Sequence, residues 1–549
     1  MKENTSRRAG MSALAAVMTM GTLLAACSGG AGTQGSSGAP GTGDKSSPAA
    51  PKERPKITVT QYDRGQIPQG EGDFTKNRWT EWINKNSPVE VEFVVVPRTG
   101  EVAKFNTLFA SNTAPDLIIT YNGDYRNNLY VSKQVIPLDD LIEKNSTNYK
   151  KLVGQYSALK KTGVKDDGKN YEIGRVTGLR QHITLLIRND WLKKLNLDMP
   201  KTPEDLLKVS KAFAESDPDG NQKKDTFGFN LSQSGDGIIN AIFGSSTWQI
   251  DKDGKLYHDF DRAKAALEFK KQLYDSGSVD KDFLADKGGE KAKQDWVNGK
   301  LGMYASGKGT SDLPLYQTLK KNNPNAEVVP LQLPAGPFGH FGPEVDVPAG
   351  TVAMINANAK NPAAVMQYVD WLISEPTLRT LKYGFEGEHW KKGKNGCPEP
   401  IDREKNKKEL DWNYDYWTPL GSTIFLGACN EPTSSLDLDD PLQKELANIY
   451  EMGKKAYIDK SRPVYSDIGF LPPLPKELTL VSSNGFKYLE LLQKAIVSGS
   501  SYTAEQAIKE SKDVWEKSGG AQVDQYYTKY FQDNKDKAYI SKVDSYAGY

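Results

Sequence analysis

Strand-like and helix-like stretches alternate in the part of the chain that follows residue 56. Apolar runs typical of buried strands stand at residues 57–60, 89–96 and 117–120. Between them, residues 77–86 and 102–110 carry apolar side chains at helical spacing. Parallel strands need long crossover connections, which are usually helices. The alternation therefore predicts an α/β fold with a mostly parallel sheet that helices cover on both faces.

Polar and aromatic residues follow these predicted strands at the ends where ligands of such sheets bind. The candidate ligand-binding residues at these carboxyl ends are Asp63, Arg64, Tyr121, Asn122, Asp124 and Arg126. An aromatic ring packs on the C–H face of a sugar, while carboxylate, amide and guanidinium groups bond its hydroxyls. We expect a sugar site here, with solvated loop residues as the alternative for any one position.

Helical spacing of apolar residues recurs further along the chain. It predicts helices at residues 203–214, 363–373 and 504–515. Thr202 is a good N-cap for the first of these helices, and Pro203 suits its first position. The chain beyond residue 56 has about 490 residues, which is more than one hydrophobic core supports, so we expect two large lobes.

A short apolar run near the N-terminus has the make-up of a signal peptide. Lys2, Arg7 and Arg8 precede it, and it is too short to span a bilayer comfortably. It ends in the sequence LAAC at Cys27, which resembles a bacterial lipobox. That resemblance implies a lipoprotein signal peptide at residues 1–27 and a mature protein held on the extracellular face of the cell membrane by a lipid on Cys27 alone. An ordinary secretory signal with an accidental cysteine is the alternative.

The segment after the signal peptide predicts a disordered tether. Residues 28–55 consist largely of Gly, Ser, Ala and Pro and offer almost no apolar side chains beyond alanine. Such a segment cannot offset the entropy cost of ordering. It would keep a folded body close to the membrane surface.

Composition narrows the range of partners. The chain has 71 Lys+Arg against 70 Asp+Glu, a net charge of +1, so nucleic acid is not an expected partner. Besides Cys27, the cysteines are Cys397 and Cys429, and an even pair outside the cell suggests a disulfide. Two buried free thiols are the alternative.

Three stretches carry a family resemblance. They are a predicted strand at residues 183–187 that runs into RNDWL, the sequence VNGKLGMYASG at residues 297–307, and a YG-x-EG motif at residues 383–387. Together they resemble the family 1 extracellular solute-binding lipoproteins of carbohydrate ABC importers, especially the LplA-like branch that serves oligosaccharides. The resemblance implies a non-enzymatic, monomeric protein that captures an oligosaccharide and delivers it to the importer's permease subunits.

The same resemblance implies a two-lobed, periplasmic-binding-protein-like fold of type II, with a central cleft and hinge crossovers. The first lobe would comprise residues 56–180 and about 350–425. The second would comprise residues 181–349 and about 426–549. In this arrangement a hinge strand places Arg180 near the cleft.

Further candidate ligand-binding residues stand in the later part of the chain. They are Arg180, Trp248, Lys308, Glu386, Trp390 and Trp417. Trp248 is the first choice for a sugar-stacking ring, with a rim residue that covers the core as its alternative. Lys308 closes a GxxxxGK sequence that lacks the following Ser or Thr of a nucleotide loop, and it suits an anionic ligand. Glu386 and Trp390 belong to the family motif or to a glycine-held turn.

An acidic loop at residues 217–226 has the spacing of a calcium-binding EF-hand loop. The expected ligand positions of this structural calcium site are Asp217, Asp219, Asn221, Lys223, Asp225 and Thr226. The loop departs from the EF-hand pattern because position six is Gln222 and position twelve is Gly228. Similar loops bind calcium structurally in the family it resembles, and a plain Asp-Gly turn is the alternative.

Other functions compete with oligosaccharide capture. A secreted carbohydrate-active enzyme would also use aromatic rings and carboxylates, but chance acidic pairs are common in a chain with 70 acidic residues. A binding protein for a peptide or another small solute, and an adhesive or structural lipoprotein, are further alternatives.

Overall fold

Two separate β-sheets organise the computed structural model, which describes residues 54–307, 310–346, 349–466, 468 and 470–549. Residues 54–549 belong to one compact unit. The predicted signal peptide, Cys27, the tether up to residue 53 and Lys308 lie outside the described residues. No helix within the described ranges has the length and apolar character needed to cross a membrane.

The strands are β1 (Lys56–Asp63), β2 (Glu90–Pro97), β3 (Leu117–Ile119), β4 (Ile173–Val176), β5 (Thr184–Arg188), β6 (Phe227–Phe229), β7 (Gln249–Ile250), β8 (Leu256–Tyr257), β9 (Leu301–Ser306), β10 (Val328–Pro330), β11 (Ala349–Ile355), β12 (Trp390–Lys392) and β13 (Pro398–Pro400).

The helices are α1 (Arg78–Asn86), α2 (Glu101–Ala110), α3 (Gly123–Val131), α4 (Asp139–Asn145), α5 (Asn148–Gln155), α6 (Ser157–Gly163), α7 (Asn189–Lys194), α8 (Pro203–Glu215), α9 (Ser234–Phe243), α10 (Phe260–Asp275), α11 (Glu290–Val297), α12 (Leu313–Asn322), α13 (Pro362–Leu372), α14 (Glu375–Tyr383), α15 (Arg403–Glu409), α16 (Pro441–Tyr457), α17 (Lys476–Gly485), α18 (Tyr488–Val497), α19 (Ala504–Lys517), α20 (Gly520–Asp533) and α21 (Ser541–Asp544). Short 3-10 helices occupy Asp411–Tyr416, Thr423–Asn430 and Gly499–Ser501.

The first sheet has the strand order β2-β1-β3-β11-β4. Strand β1 is parallel to β2 and β3, as the alternation of elements predicts. Strand β11, which follows β10 of the second sheet in the chain, is antiparallel to both β3 and β4. Strands β1, β3 and β4 therefore share a direction, and their carboxyl ends lie at one edge of the sheet.

The second sheet has the order β10-β5-β9-β6. Strands β6 and β9 are parallel, and β5 is antiparallel to β9. Because Thr184 is opposite Ser306 in this pairing, the start of β5 lies at the same edge as the carboxyl end of β9.

Each sheet has its own hydrophobic core. Buried apolar residues from 57–176 and 349–426 form the first core, which includes Trp79 and Phe105. The buried apolar residues around the second sheet come from residues 185–333 and 446–508, and they include Trp191 and Phe213. Burying one such large apolar side chain contributes about 1.5–3 kcal/mol. The exact lobe boundaries stay a prediction.

The C-terminal end of the chain returns to the first sheet. Tyr539 packs in the first core, although the predicted division assigns its segment to the second lobe. Lys161 Nζ lies 2.9 Å from Asp544 Oδ1, and the ring of Tyr549 packs on that of Tyr156 with 5.1 Å between centroids. These aromatic and ionic contacts join residues far apart in the chain, so local sequence pattern does not report them.

Local chemistry fixes several helix starts. Helix α8 begins at Pro203 as predicted, because Thr202 Oγ1 accepts a hydrogen bond from the Asp205 N–H at 3.1 Å and the Asp205 carboxylate bonds back to the cap. Asn77 caps α1 in the same reciprocal way with Thr80. Such a cap contributes about 1 kcal/mol.

Two crossover segments between the sheets pair with each other. Gln181 forms an antiparallel bridge with Val345, and the Asp346 N–H donates to the Arg180 carbonyl oxygen at 2.9 Å. A third segment joins them, since Gly342 bridges to Val464. These paired crossovers form one hydrogen-bonded link between the two sheets, and the chain also passes between the two cores after residue 426 and again before Tyr539.

Candidate ligand-binding cleft

Three cavities open beside the paired crossover segments. We call them the first-sheet pocket (about 380 Å³), the second-sheet pocket (about 260 Å³) and the helical pocket (about 510 Å³). Arg180 lines the first, His182 the second and Glu344 the third. Because residues 180–182 pair with residues 345–346, each of the three cavities borders the same paired segments.

The first-sheet pocket lies at the carboxyl end of β4. Its aromatic lining is Tyr383, Tyr414 and Trp417, and its cationic lining is Arg175, Arg180 and Lys382. Hydroxyl and amide groups complete the wall, among them those of Thr177, Thr423 and Asn430. The pocket thus combines rings, hydrogen-bonding groups and positive charge.

Hydrogen bonds hold most of these side chains in place. Arg180 Nη2 donates to both the carbonyl oxygen and Oδ1 of Asn430, at 2.6 and 2.7 Å. Arg175 donates to the Thr418 carbonyl oxygen. Trp417 Nε1 donates to Asn413 Oδ1 at 3.1 Å. These bonds orient two predicted ligand residues, Arg180 and Trp417, on the pocket wall.

A disulfide supports the far wall of the first-sheet pocket. Cys397 and Cys429 are bonded, with their Cα atoms 5.3 Å apart. The Cys429 carbonyl oxygen accepts hydrogen bonds from the hydroxyls of Tyr383 at 2.8 Å and Ser434 at 3.1 Å, and both residues line the pocket. The cross-link therefore anchors the segment that carries part of the lining.

Arg64 and Tyr121 lie at the carboxyl ends of β1 and β3, as expected. Arg64 Nε and Nη2 contact the two carboxylate oxygens of Asp415 at 2.5 and 3.1 Å, and this pairing raises the pKa of Arg64. The ring of Tyr121 stacks on Tyr62 with centroids 6.0 Å apart, and burial raises the Tyr121 pKa. Asp415 neighbours Tyr414 in the chain, so this edge continues toward the first-sheet pocket.

Arg126 reaches the end of β3 but is held there in buried contacts. It is 7% exposed, its Nε lies 2.9 Å from Glu172 Oε2, and its Nη1 donates to the Thr120 carbonyl oxygen at 2.7 Å. Although burial opposes it, the charges of Lys165 and Arg126 hold the Glu172 pKa below its usual range. The structure uses Arg126 in a buried ion-pair network, a role that its position one turn into α3 does not reveal in sequence.

Three other predicted residues of this edge have local structural roles. Asn122 caps α3 by accepting a hydrogen bond from the Tyr125 N–H at 3.0 Å. Asp63 Oδ1 accepts from the Gly65 N–H at 2.8 Å in the turn after β1. Asp124 is exposed in the first turn of α3.

Trp248 lines the helical pocket but packs in an aromatic core. It is 9% exposed, and its Nε1 donates to Asp524 Oδ1 at 2.7 Å. Its ring meets those of Phe486, Trp515 and Tyr527 edge-on, at 5.2–6.1 Å. Phe486 directly follows α17, Trp515 belongs to α19 and Tyr527 to α20, so the packing of Trp248 fits the alternative role of a residue that covers the core.

The YG-x-EG motif forms a packed turn. Trp390 Nε1 donates to the Gly384 carbonyl oxygen at 3.0 Å, and Phe385 stacks on Trp79 with centroids 5.7 Å apart. Glu386 is exposed, and neither it nor Trp390 lines any of the three cavities. Gly384 has φ 78°, a conformation that a glycine adopts without strain.

The second-sheet pocket lies at the ends of β6 and β9. Asn230, Gln233 and Ser306 line it, and Lys308 would follow Ser306 by two residues, outside the described part of the chain. His182 Nδ1 lies 2.7 Å from Asp346 Oδ1. This hydrogen bond raises the His182 pKa against the opposing effect of burial.

Hydrogen bonds from Asn221 hold together the acidic loop between α8 and β6. Its side-chain amide donates to Asp219 Oδ2 at 2.8 Å and Asp225 Oδ1 at 3.0 Å, and its backbone N–H donates to Asp217 Oδ1 at 3.1 Å. Burial, followed by the neighbouring Asp217, raises the Asp219 pKa. Three carboxylates thus gather around one asparagine.

A second acidic cluster is an ion-pair network. Glu388, His389 and Glu409 bring ligand-type atoms within 4.8 Å of one another. Arg78 Nη1, however, lies 2.7 Å from Glu409 Oε2, and His389 Nδ1 accepts from the Phe385 N–H at 3.1 Å. Cations and backbone already engage these groups.

Comparison with known proteins assigns the chain that forms this cleft to a family. The family model for bacterial extracellular solute-binding proteins matches residues 70–377. The chain belongs to the bacterial extracellular solute-binding protein family. This family binds solutes and does not transform them, in agreement with the prediction that the protein is not an enzyme.

Individual relatives of this solute-binding protein extend the match over most of the chain. It is 26% identical over 485 residues to the polygalacturonan/rhamnogalacturonan-binding protein YtcQ of Bacillus subtilis (strain 168), which covers 84% of this chain and 89% of YtcQ. It is 25% identical over 478 residues to lipoprotein LipO of the same organism, covering 82% of this chain and 88% of LipO.

Solved structures confirm the predicted fold class. The ABC-transporter substrate-binding protein FusA of Streptococcus pneumoniae in complex with kestose has a TM-score of 0.62 at 20% identity, over 87% of this chain and 99% of FusA. The FusA EF-hand mutant in complex with fructo-nystose gives 0.63 at 20% identity, over the same 87% and 99%. The solute-binding protein therefore has the two-lobed α/β fold that the family motifs predict.

Sequence reasoning missed part of the first-sheet pocket. Arg175 stands within β4, and Lys382 directly precedes the YG-x-EG motif. Neither position carries a motif of its own. The polar Arg175 inside an otherwise apolar strand is the one local signal, since a charged residue there needs a polar surface to face.

Proposed function

We propose that this protein captures an oligosaccharide in the cleft beside its crossovers and delivers it to the permease subunits of an ABC importer. The observation that carries the proposal is that three cavities border the paired segments around Gln181 and Val345. A cleft between two lobes that share a hinge suits a ligand long enough to contact both.

The pocket lining supports a sugar over an apolar solute. Exposed rings such as that of Tyr414 offer stacking surfaces, and Thr423 and Asn430 offer hydroxyl and amide groups. Relatives carry names for both acidic and neutral glycans, polygalacturonan for YtcQ and fructooligosaccharide for FusA. The names of the relatives therefore leave the charge of this protein's ligand open, and the residues that line its own pocket have to indicate it.

Closure around the ligand is the proposed mechanism of capture. A ligand that contacts residues of both sheets binds the closed form better than the open form and shifts the population toward it. The crossovers are short and hydrogen-bonded to each other, so rotation at their ends can move one sheet relative to the other.

The acidic loop is proposed to hold a structural calcium ion. Side chains of Asp217, Asp219, Asn221 and Asp225 would supply oxygen ligands, and their gathered negative charge fits a cation. Lys223 would contribute its backbone carbonyl. Thr226 would contribute its backbone carbonyl, while its hydroxyl donates to the Phe213 carbonyl oxygen at 2.8 Å. FusA, whose EF-hand mutant has been solved, offers a parallel in the family.

Lipid attachment at Cys27 is proposed to hold the protein outside the cell. The lipobox-like sequence and the relative LipO, a lipoprotein, support it. Cys27→Ala should release the protein to the medium or leave it unprocessed. Recovery of the variant in the membrane fraction, trimmed at residue 27, would contradict the proposal.

The central test combines calorimetry and small-angle scattering with a panel of neutral and acidic oligosaccharides. We expect binding, a smaller radius of gyration in the complex, and unchanged ligand by mass analysis after long incubation. Cleavage of the ligand in proportion to protein concentration would favour an enzyme. Tight binding without compaction would reject closure.

A further inference from the structure

The first-sheet pocket holds more positive charge than its walls neutralise. Arg175, Arg180 and Lys382 line it, and among the described lining residues Glu431 is the one carboxylate. Glu431 is already engaged, because its Oε1 lies 2.7 Å from Lys454 Nζ and its Oε2 accepts from the Tyr450 hydroxyl at 3.0 Å. The pocket therefore presents three cations to its interior without a free carboxylate.

Both arginines of the pocket bond to neutral groups. Arg175 donates to the Thr418 carbonyl oxygen, and Arg180 to the carbonyl and side-chain oxygens of Asn430. These bonds fix the guanidinium planes but leave their charge uncompensated. A fixed guanidinium fork is complementary to a carboxylate, which accepts two parallel hydrogen bonds from it.

Among the three cations of the pocket, Lys382 has the least compensation for its charge. Its ammonium lies 4.9 Å from the ring centroid of Tyr383, and within the described ranges no carboxylate oxygen lies within 4.0 Å of it. Burial, and next the charge of Arg180, lower the Lys382 pKa to about 8. A half-buried lysine beside another cation is unfavourable unless something negative completes the site.

We propose that the first-sheet pocket receives a carboxylate of an acidic sugar, with Lys382 and Arg180 as its counter-ions. This inference rests on the proposed function and specifies the class of its ligand as a uronate-containing oligosaccharide. The exposed ring of Tyr414 and the ring of Trp417 line the same cavity and would pack against the sugar ring that carries the carboxylate.

The same geometry predicts discrimination against neutral sugars. The hydroxyls of a neutral ring in this pocket could accept hydrogen bonds from Lys382 and Arg180, but the neutral ring would leave their charge unbalanced. Hydrogen bonds between a cation and a carboxylate are stronger than those to a neutral hydroxyl, so the acidic sugar should bind more tightly than its neutral counterpart.

The experiment uses trisaccharides of galacturonate, mannuronate and glucuronate, each paired with its methyl ester, together with the neutral kestose. Calorimetry on the full mature protein at pH 7 measures each affinity. We expect at least one acid to bind tenfold or more tighter than its own ester. Lys382→Met should remove that preference, and Lys382→Arg, which keeps the charge, should retain it.

Lys360→Met is the matched control, because Lys360 is exposed at the turn before α13, away from the pocket lining. It should leave every affinity unchanged. Equal affinity for acids and esters, or binding of kestose alone, would overturn the carboxylate inference while leaving oligosaccharide capture intact. An acid preference that survives in Lys382→Met would overturn the assignment to this pocket. Failure to bind any sugar would count against the proposed function itself.

Discussion

His182 Nδ1 lies 2.7 Å from Asp346 Oδ1, and this contact joins the two crossover segments that connect the sheets. Each residue is next to a member of the Gln181 to Val345 bridge. The side-chain pair therefore reinforces a link that the backbone already makes.

The His182–Asp346 pair should make a small, pH-dependent contribution to stability. Asp346 raises the folded-state pKa of His182, so the contribution is fully present below the unfolded pKa and is lost as pH rises through the folded pKa. Both side chains are about half exposed, which limits the effect to about 0.5 kcal/mol.

Thermal unfolding of wild type and His182→Gln at pH 5 and pH 8 measures this contribution. The variant should be less stable at pH 5 and nearly equal to wild type at pH 8, and Glu344, whose charge also raises the His182 pKa, is unchanged in both. A stability gap of the same size at both pH values would show that the charge of His182 is not involved.

Lys382 should lower the stability of the ligand-free protein. Its folded-state pKa of about 8 is below the usual value, so at pH 7 the folded state carries the whole cost of a buried cation. Lys382→Met should therefore raise the free energy of unfolding at pH 7 by on the order of 2 kcal/mol, while weakening the binding of acidic sugars.

The sign of the pH dependence provides a check on this prediction. Between pH 8 and the unfolded pKa near 10.5, the unfolded chain binds more protons at Lys382 than the folded protein does, so wild-type stability at this site rises with pH. Urea unfolding should show the gap between Lys382→Met and wild type narrowing from pH 7 to pH 9.5. A variant that is less stable than wild type at pH 7 would mean that Lys382 has a favourable partner.

Elements with local signals were predictable from sequence. Strand β1 was expected at residues 57–60 and extends to Asp63, because its ladder with β2 continues from Lys56 opposite Glu90 to Asp63 opposite Pro97. Helix α8 begins where Thr202 and Pro203 indicate. In both cases the deciding chemistry lies within a few residues of the element.

Site residues were less predictable, because their surroundings come from distant parts of the chain. Arg126 is drawn into the core by Glu172, and Trp248 is enclosed by the late helix α19 through Trp515. Lys382 becomes a candidate ligand-binding residue only because β4 and the crossover place Arg175 and Arg180 in the same pocket. No spacing rule in the sequence connects these positions.

Calcium should stabilise the protein through the acidic loop. Chelation with EGTA should lower the melting temperature, and added calcium should restore it, because an ion that binds only the folded state at a hundredfold excess over its Kd contributes about 2.7 kcal/mol. Asp219→Ala should abolish the response.

A second Asp-Gly turn supplies the matched control for the calcium test. Asp253→Ala alters the turn between β7 and β8, where Asp251 Oδ1 accepts hydrogen bonds from two backbone N–H groups at 2.9 Å. The response to EGTA should persist in this variant. An unchanged wild-type melting curve in EGTA, with no metal detected in the purified protein by mass spectrometry, would count against the site.

Two aromatic residues should separate ligand stacking from core packing. Tyr414 is 48% exposed and lines the first-sheet pocket, whereas Trp248 is enclosed by aromatic partners and hydrogen-bonded to Asp524. Tyr414→Ala removes a ring that contributes little to the core. It should weaken oligosaccharide binding by about 1–2 kcal/mol, roughly 5- to 30-fold, with little change in melting temperature.

Trp248→Ala should have the opposite profile. Loss of a large buried aromatic ring costs about 3–5 kcal/mol of stability, so the melting temperature should fall steeply, and the affinity of the remaining folded protein should change less than in Tyr414→Ala. Trp248→Phe keeps part of the packing if the alanine variant does not fold. Calorimetry and thermal unfolding on the same preparations compare the two effects directly. If Trp248→Phe loses affinity while keeping its melting temperature, the helical pocket carries the stacking platform and the ligand reaches into the C-terminal helices.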